Sequence, residues 1–477
     1  MAFLDQSYSS KNFRILYDLL NRKGKISIAQ VSPEYERIVA EIKEVNKSIK
    51  ELNKKKRALW TADDKDIMNQ KKEKLSQLIE KKNDELTNRL NDFADEVNNH
   101  SFQFSISKHV HGNHEEFTVD TSILSSLFAL NQIMYNLKNT FKVEMSNRHS
   151  IMTSLKHLLN TKMPMYLIRT DVEGFFEHIP QDKLWEKLYN NNLLTYKTKS
   201  LIKQILNTYE SLKDASVTPL LGVPRGICIS SFLSEIYMQD LDRNIKSRKE
   251  VIFYARYVDD IFLITTSIYP YEKIEDYYCD LVKMFLEYGL SLKSTDDVSK
   301  CQLIDVTKIN NSCPTIVYYL GYNLKLQYDK GLITKYDLSD KKIVKLKQRI
   351  DNAFRHFENL CKKNIKQARR DLLDALKLIT SNIKLYNTKS GVKVGLYYNN
   401  DLLDVFDGLN DVETHLKSKS INILSTRKPI FKTSIEETNF KNKLKRKIDC
   451  ISFQKNWKEK RFYSFTIDRI IEILEWL

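Results

Sequence analysis

The stretch FYARYVDDIFLI, residues 253–264, sets two adjacent carboxylates, Asp259 and Asp260, between two apolar, β-branched runs. Neighbouring anions repel, and taking either out of water is costly unless a positive charge compensates. A bare Asp-Asp between strands has two readings, an ordinary Asx-rich turn or a site for divalent cations, and a third carboxylate elsewhere decides between them. PMYLIRTDVEGFFEHIP (164–180) offers one: it reads as a strand from Met165 to Thr170 ending in Asp171, followed by a turn and helix start at Glu173–Gly174. If that strand lies beside the 251–266 segment, Asp171, Asp259 and Asp260 converge. Three carboxylates so placed can hold two Mg²⁺ ions about 4 Å apart, the arrangement that stabilises the attacking and leaving oxygens of phosphoryl transfer. The cations would also make the Asp259–Asp260 repulsion tolerable.

The elements that must position these groups are legible in outline. Val251–Tyr257 and Ile261–Thr266 carry strand-type residues without helical spacing, which predicts a tight hairpin with the aspartates at its tip. Upstream, residues 10–33 predict a short helix and a Gly-containing turn. Tyr35, Ile38, Ile42, Val45, Ile49 and Leu52 then alternate steps of three and four, a helix with one narrow apolar seam. TADD (61–64) breaks that pattern and can cap a second helix carrying Leu75, Ile79, Leu86, Leu90, Phe93 and Val97. An antiparallel helical hairpin fits, its Lys/Glu-rich remainder a solvated surface or, alternatively, a self-association face. From 101 to 335 the texture is mixed α and β, and beyond 340 it is helical again. Residues 417–461 are dense in Lys and Arg, and in TIDRIIEILEWL the side chains of Ile467, Ile470, Ile471, Leu474 and Leu477 share one helical face that should be docked.

With 477 residues, 42% hydrophobic and 11% aromatic, the chain is long enough for two to four domains and is not disordered. Only 11 Gly and 8 Pro favour long helices over a loop-rich β protein. The excess of 77 Lys+Arg over 61 Asp+Glu, a net charge of +16, attracts polyanions: nucleic acid first, an anionic membrane surface second. The six cysteines (228, 279, 301, 313, 361, 450) form no CxxC pair and no zinc-type spacing, which points to reduced thiols. Neither a signal peptide nor an apolar run of about 20 residues is visible, so the expectation is a cytoplasmic protein without a membrane partner.

TDVEGFF, GVPRGICISSFLSEIYM (222–238), YVDD, YGLSLKS (288–294) and YYLGYNL (318–324) stand in this order over roughly residues 145–325. In order and spacing they resemble the palm motifs of reverse transcriptases. The finer texture, PRG in place of PQG, ISSFLSEIYM, NRHSIMTSLKHLL before the first motif and VKVGLYYNNDLL (392–403) beyond the last, is similar to the bacterial defence-associated group, the abortive-infection and unknown-group enzymes. The resemblance implies an α+β fold: a right-hand polymerase palm and fingers with a helical hairpin insertion and an all-α C-terminal domain. The expected division is an N-terminal fingers segment (1–34), the hairpin (35–100), fingers and palm (101–335) and a basic helical domain (336–477).

Carried over residue by residue, the resemblance makes Asp171, Asp259 and Asp260 the catalytic and metal-binding carboxylates, with Val172 lending a backbone carbonyl. Phe176 matches the bulky residue that excludes a ribose 2′-OH, the alternative being plain core packing, which serves Phe175 equally well. Arg225, Gly226 and Tyr257 match nucleotide-pocket positions, and Arg148 and Lys156 are candidate triphosphate cations. Lys443, Lys445, Arg446 and Lys447 are the expected nucleic-acid contacts. Two positions depart from the family pattern: Arg225 replaces glutamine, and KSTDDVSK lacks the usual lysine spacing, leaving Lys293 or Lys300 to serve as proton donor to pyrophosphate. The implied activity is RNA-directed DNA synthesis from dNTPs with two Mg²⁺ ions, Mn²⁺ being a substitute, in anti-phage defence. The partners would be RNA, a dedicated non-coding RNA being one option, and the DNA product, with a homo-oligomer open. Synthesis could be RNA-templated, template-independent or primed by a protein hydroxyl such as Tyr386, Tyr397 or Tyr398. A retron-like or intron-derived enzyme copying a structured RNA is the first alternative, and a non-catalytic nucleic-acid-binding scaffold the second.

Overall fold

The Thr61 hydroxyl accepts the Asp64 N–H while the Asp64 carboxylate accepts the Thr61 N–H, closing the capping box that TADD anticipates. In the computed structural model, which describes residues 5–54, 60–111, 114–214, 220–309, 314–384, 393–422 and 434–477, this cap starts a long helix at Ala62. Helix α1 spans Ser10–Arg22, α2 Pro33–Leu52 and α3 Ala62–Asn98. Two strands, β1 (Ile106–His111) and β2 (His114–Val119), pair antiparallel and lead to α4 (Leu124–Phe141). The seam of α2 packs on α3, with Tyr35 and Ile38 fully buried and the rest half-buried. On α3, Leu86, Leu90 and Val97 face inward as expected, but Leu78 takes the inward place and Ile79 is exposed. Rings from three helices meet at Phe128 of α4: Phe13 stacks on it at 5.2 Å and Phe93 lies at 6.0 Å.

The chain then continues through α5 (Arg148–Leu158), β3 (Tyr166–Asp171), α6 (Gln181–Tyr189), α7 (Tyr196–Leu212), α8 (Cys228–Lys246), β4 (Val251–Tyr257), β5 (Asp260–Thr265), α9 (Ile274–Glu287) and β6 (Gln302–Asp305). Two compact units result. The first comprises Met1–Met145, Glu173–Arg243 and Phe285–Leu290; the second comprises Ser146–Val172, Asn244–Met284 and Ser291–Leu477.

In the second unit an antiparallel sheet runs in the order β4-β5-β3-β6. Its middle strands are apolar on both faces: Ile261 to Ile264 and Leu167 to Ile168 are all buried, as expected for strands covered on both sides. A second antiparallel sheet, β7 (Thr315–Tyr319), β8 (Tyr322–Tyr328) and β9 (Leu332–Leu338), contributes Tyr319, whose ring lies 4.9 Å from Phe262.

Helices α10 (Asp340–Cys361) and α11 (Ile365–Thr380), the short strands β10 (Asn382–Lys384) and β11 (Lys393–Gly395), and helices α12 (Asp407–Asn422), α13 (Ser434–Asp449), α14 (Phe453–Lys458) and α15 (Ile467–Trp476) complete the unit. One continuous core joins Met152, Phe262 and Leu324 to Phe354, Leu376, Leu416, Phe453 and Ile473. The boundary expected at 335/336 therefore falls inside a shared core, and the region expected to be all helical also carries the β10–β11 ladder. The C-terminal helix is docked through Ile470 and Ile473, while Ile471 and Leu474 of the expected face are exposed. A buried ion cluster fixes it further: the Arg469 guanidinium donates to Asp371 at 2.6 Å and Asp374 at 3.0 Å on α11. Among the described residues no helix is long and apolar enough to cross a membrane.

Candidate active site

Strand register creates the site. Antiparallel pairing sets Asp171, the last residue of β3, directly opposite Asp260, the first of β5. Tyr257 pairs with Asp260 across the hairpin, so Val258 and Asp259 alone form its loop. Val258 sits at φ +60°, a left-handed conformation that a β-branched residue adopts only at a cost of about 1–3 kcal/mol. The surroundings hold it there. Arg256 donates to the Val258 carbonyl at 2.9 Å, and the Val172 N–H donates to the Asp259 carbonyl at 3.0 Å. On the other side of β3, the Lys293 N–H donates to the Asp171 carbonyl at 3.0 Å, and Val172 bridges Leu292. The Tyr278 hydroxyl of α9 ties this edge down through Thr170 at 2.8 Å and the Lys293 carbonyl at 2.6 Å. Carboxylate oxygens of Asp171, Asp259 and Asp260 consequently lie within 4.8 Å of one another.

Two cations balance part of this charge. Arg169, 7% exposed and two residues before Asp171 on the same face of β3, donates to Asp260 at 2.9 Å and to the Ser299 carbonyl at 2.7 Å. The Lys300 ammonium meets Asp171 Oδ2 at 2.6 Å. Among the described residues, three carboxylates against these two cations leave a net negative centre, and Asp171 Oδ1 is buried with no hydrogen-bond partner. Burial, reinforced by the Asp171 charge, pushes the Asp259 carboxyl above its ordinary range. Burial pushes Asp260 up as well, against the pull of Arg169. An all-oxygen donor set, partly desolvated, with an orphaned carboxylate oxygen and unbalanced negative charge, fits hard divalent cations such as Mg²⁺.

The other expected site residues fall into separate groups. Phe176, Arg225 and Gly226 come together in the first unit. The Val223 N–H donates to the Phe176 carbonyl at 2.7 Å, and the Arg225 guanidinium lies 5.8 Å from the Phe176 ring while pairing with Glu177 at 3.2 Å. Phe175 is buried in the core and Phe176 is only half-buried, so Phe176 is the ring that remains available. Gly226, at φ +100°, lets the backbone approach Phe117, whose carbonyl oxygen a Cβ would meet at 2.6 Å. Tyr257 is half-buried beside the carboxylates on β4.

Arg148 and Lys156 on α5 are engaged elsewhere in the second unit. Arg148 donates to the Leu320 carbonyl at 2.6 Å, and Lys156 pairs with Asp404 at 2.6 Å. Neither makes a hydrogen bond or ion pair to the three aspartates. On α13, Lys443, Arg446 and Lys447 are exposed and Lys445 half-buried, while Leu444 and Ile448 anchor the helix inward. Tyr397 and Tyr398 are half-buried, with Lys460 4.5 Å and Lys393 5.5 Å from their respective rings. Tyr386 and Cys313 lie outside the described residues. Of the two candidate lysines, Lys300 brings its ammonium to the Asp171 carboxylate, and Lys293 gives its backbone N–H to the Asp171 carbonyl. Arg169 was not anticipated, although a lone cation in the apolar run YLIRTD, at i−2 from Asp171, is the signal that could have found it.

The raised carboxyls give a signed expectation. A carboxyl held above its unfolded-state pKa favours folding where it is protonated, and that contribution is lost as pH rises through the folded-state value. Without metal at pH 7, Asp259→Asn therefore melts at a higher temperature than the parent, and the gap narrows as pH falls toward about 4, where an ordinary carboxyl takes up its proton. Saturating Mg²⁺ reverses the order by stabilising the parent, by about 2.7 kcal/mol at a hundredfold excess over Kd. Scanning calorimetry with and without Mg²⁺ checks both, and a variant that melts with or below the parent at pH 7 contradicts the charge assignment.

One known protein family matches the region that holds these carboxylates. Residues 118–324 match the family described as reverse transcriptase (RNA-dependent DNA polymerase). Solved structures with similarity include telomerases of Candida. The apo enzyme of Candida tropicalis is 13% identical, with 78% of this chain and 64% of that one covered and a TM-score of 0.34. A form of it truncated from the C-terminal domain is 13% identical over 47% of this chain and 53% of that one, with a TM-score of 0.33. The Candida albicans enzyme in complex with a TWJ fragment of telomeric RNA is 14% identical over 73% and 65%, with a TM-score of 0.33. This chain spans less than two thirds of the length of each of these three. No curated protein matches it. The match covers both the strand that ends in Asp171 and the hairpin that carries Asp259 and Asp260, so the β4-β5-β3-β6 sheet is a polymerase palm and residues 118–324 are a reverse transcriptase domain, the RNA-directed DNA polymerase module.

Proposed function

We propose that this chain is a DNA polymerase of the reverse transcriptase type that adds dNTPs in the cytoplasm as part of anti-phage defence. The observation that supports it most is the convergence of Asp171, Asp259 and Asp260 inside the matched domain. Two Mg²⁺ ions, or Mn²⁺ in their place, held by these three side chains with the Val172 carbonyl, would supply the Lewis acidity that activates a hydroxyl nucleophile and stabilises the pyrophosphate leaving group. Asp171 and Asp259 bind and orient through charge. Arg169 fixes the Asp260 carboxylate in direction, and Lys300 holds a proton beside Asp171 Oδ2, where a departing pyrophosphate can take it.

Phe176 walls off a ribose 2′-OH, Gly226 permits close backbone approach, and Arg225 exchanges Glu177 for a phosphate or base edge. The exposed cations of α13 hold RNA or product DNA by their phosphates. Templating by RNA, untemplated addition and priming from the Tyr397 or Tyr398 hydroxyl are variants of this one chemistry, since a deprotonated phenol is a competent nucleophile.

The test supplies purified protein with labelled dNTPs and Mg²⁺. The parent incorporates label and Asp259→Asn, still folded, does not; equal turnover by the variant would sink the assignment. The product run on a denaturing gel before and after protease reads the primer, because DNA that migrates free of protein without digestion rules out a tyrosine. Phe176→Ala lowers the dNTP-over-NTP preference by about tenfold or more, the scale on which a pocket wall discriminates. An unaltered ratio places the discrimination elsewhere.

A further inference from the structure

Away from the carboxylates, the first unit carries a groove of about 510 Å³ between α6 and α7. Both helices are firmly seated, α6 by Leu184 and Leu188 and α7 by Leu201, Ile202, Ile205 and Leu206, all buried. Their outward faces nonetheless present large aromatic rings to solvent. Tyr189 is 64% exposed and Tyr196 85%, and Trp185 is half-buried beside Tyr189, with ring centroids 6.5 Å apart. Packing alone gives no reason to expose this much aromatic area.

The cations are interleaved with the rings. Lys199 lies 5.5 Å from the Tyr189 ring and donates to the Tyr189 carbonyl at 2.8 Å, and Lys203 lies 5.5 Å from the Trp185 ring. Among the described residues no carboxylate lines the groove, and neither lysine has an ion-pair partner. Exposed Asn207, one turn beyond Lys203, adds an amide that can donate and accept. Exposed π-faces alternating with unpaired ammonium groups match one chemistry: unpaired bases that stack, joined by phosphates that need cations.

We infer that the α6–α7 groove is a binding platform for single-stranded RNA, with bases stacked on Trp185, Tyr189 and Tyr196 and phosphates held by Lys199 and Lys203. The choice of RNA over DNA rests on reading the chain as an RNA-directed polymerase, together with the amide and hydroxyl lining, which can meet a 2′-OH. The nucleic acid itself follows from the rings and charges.

The experiment titrates full-length protein, without Mg²⁺ or dNTPs, into a dye-labelled 12-nucleotide RNA and its DNA counterpart and reads fluorescence anisotropy. Tyr189→Ala/Tyr196→Ala, whose rings are exposed and leave the buried faces untouched, binds the RNA at least tenfold more weakly, as the loss of two stacking positions predicts. Lys199→Gln/Lys203→Gln weakens it and flattens its salt dependence. RNA quenches tryptophan emission in the parent, and Trp185→Phe loses most of that quench, which places the contact in this groove and not on another basic surface. Parent-like RNA affinity in the aromatic variant, or a quench that persists in Trp185→Phe, overturns the proposal. So does unchanged RNA affinity with an altered sedimentation coefficient, which assigns the face to a protein contact, and DNA bound as tightly as RNA overturns the commitment to RNA. Since no turnover is required, a parent that binds RNA through the groove yet incorporates no dNTP supports the groove and refutes the polymerase.

Discussion

Three carboxylates are held where they repel one another, and much of the second unit is arranged to make that tolerable. At separations below 4.8 Å and an effective dielectric of about 20, each ionised pair costs on the order of 3 kcal/mol. Pairing of β3 with β5 leaves Asp171 no choice but to face Asp260, and the two-residue loop with its strained Val258 brings Asp259 alongside. The compensating groups are non-local: Arg169 links Asp260 to the Ser299 carbonyl, and Lys300, next in the chain after Ser299, reaches Asp171. The 299–300 segment is thus fastened to the palm sheet through charge. A buried pair of this kind contributes little net stability, but losing one partner leaves a stranded charge, at a cost of about 3–5 kcal/mol.

This centre does not stand apart from the C-terminal helices. Phe262, two residues beyond Asp260, packs in the same core as Phe354, Leu376 and Phe453. A rigid scaffold behind the strands is what a metal-binding constellation needs, since a ligand displaced by a fraction of an ångström loses its geometry. The C-terminal region thereby supports the palm sheet by packing, whatever its exposed basic face binds. The nucleotide-pocket candidates Phe176, Arg225 and Gly226 belong to the other unit, where Gly226 is fixed by its approach to Phe117 and Arg225 by Glu177.

What could be read from the sequence was what local physics controls. The hairpin around YVDD follows from its β-branched flanks, the strand before Asp171 from its apolar run, and the start of α3 from the TADD capping box. Convergence of the three aspartates was legible only because the strand and hairpin each carried a charge where burial was required. Arg169 and Lys300 were not assigned their partners, because their bonds span 91 and 129 residues and depend on register. The same limit explains why Phe175 and Phe176 could not be separated, as adjacent rings differ only in which way the turn after β3 points them. It also explains the face of α15: periodicity gives a stripe, and the docking partner decides which edge of it is covered, here Ile470 and Ile473.

The proposed chemistry requires divalent cations at the Asp171–Asp259–Asp260 centre. The most direct measurement is an anomalous difference map from crystals grown with Mn²⁺ and a non-hydrolysable dNTP. Two peaks about 4 Å apart, liganded by Asp171 and Asp259, are the predicted result. Saturating Mn²⁺ with no peak at the three carboxylates, and Lys300 still on Asp171, would contradict it.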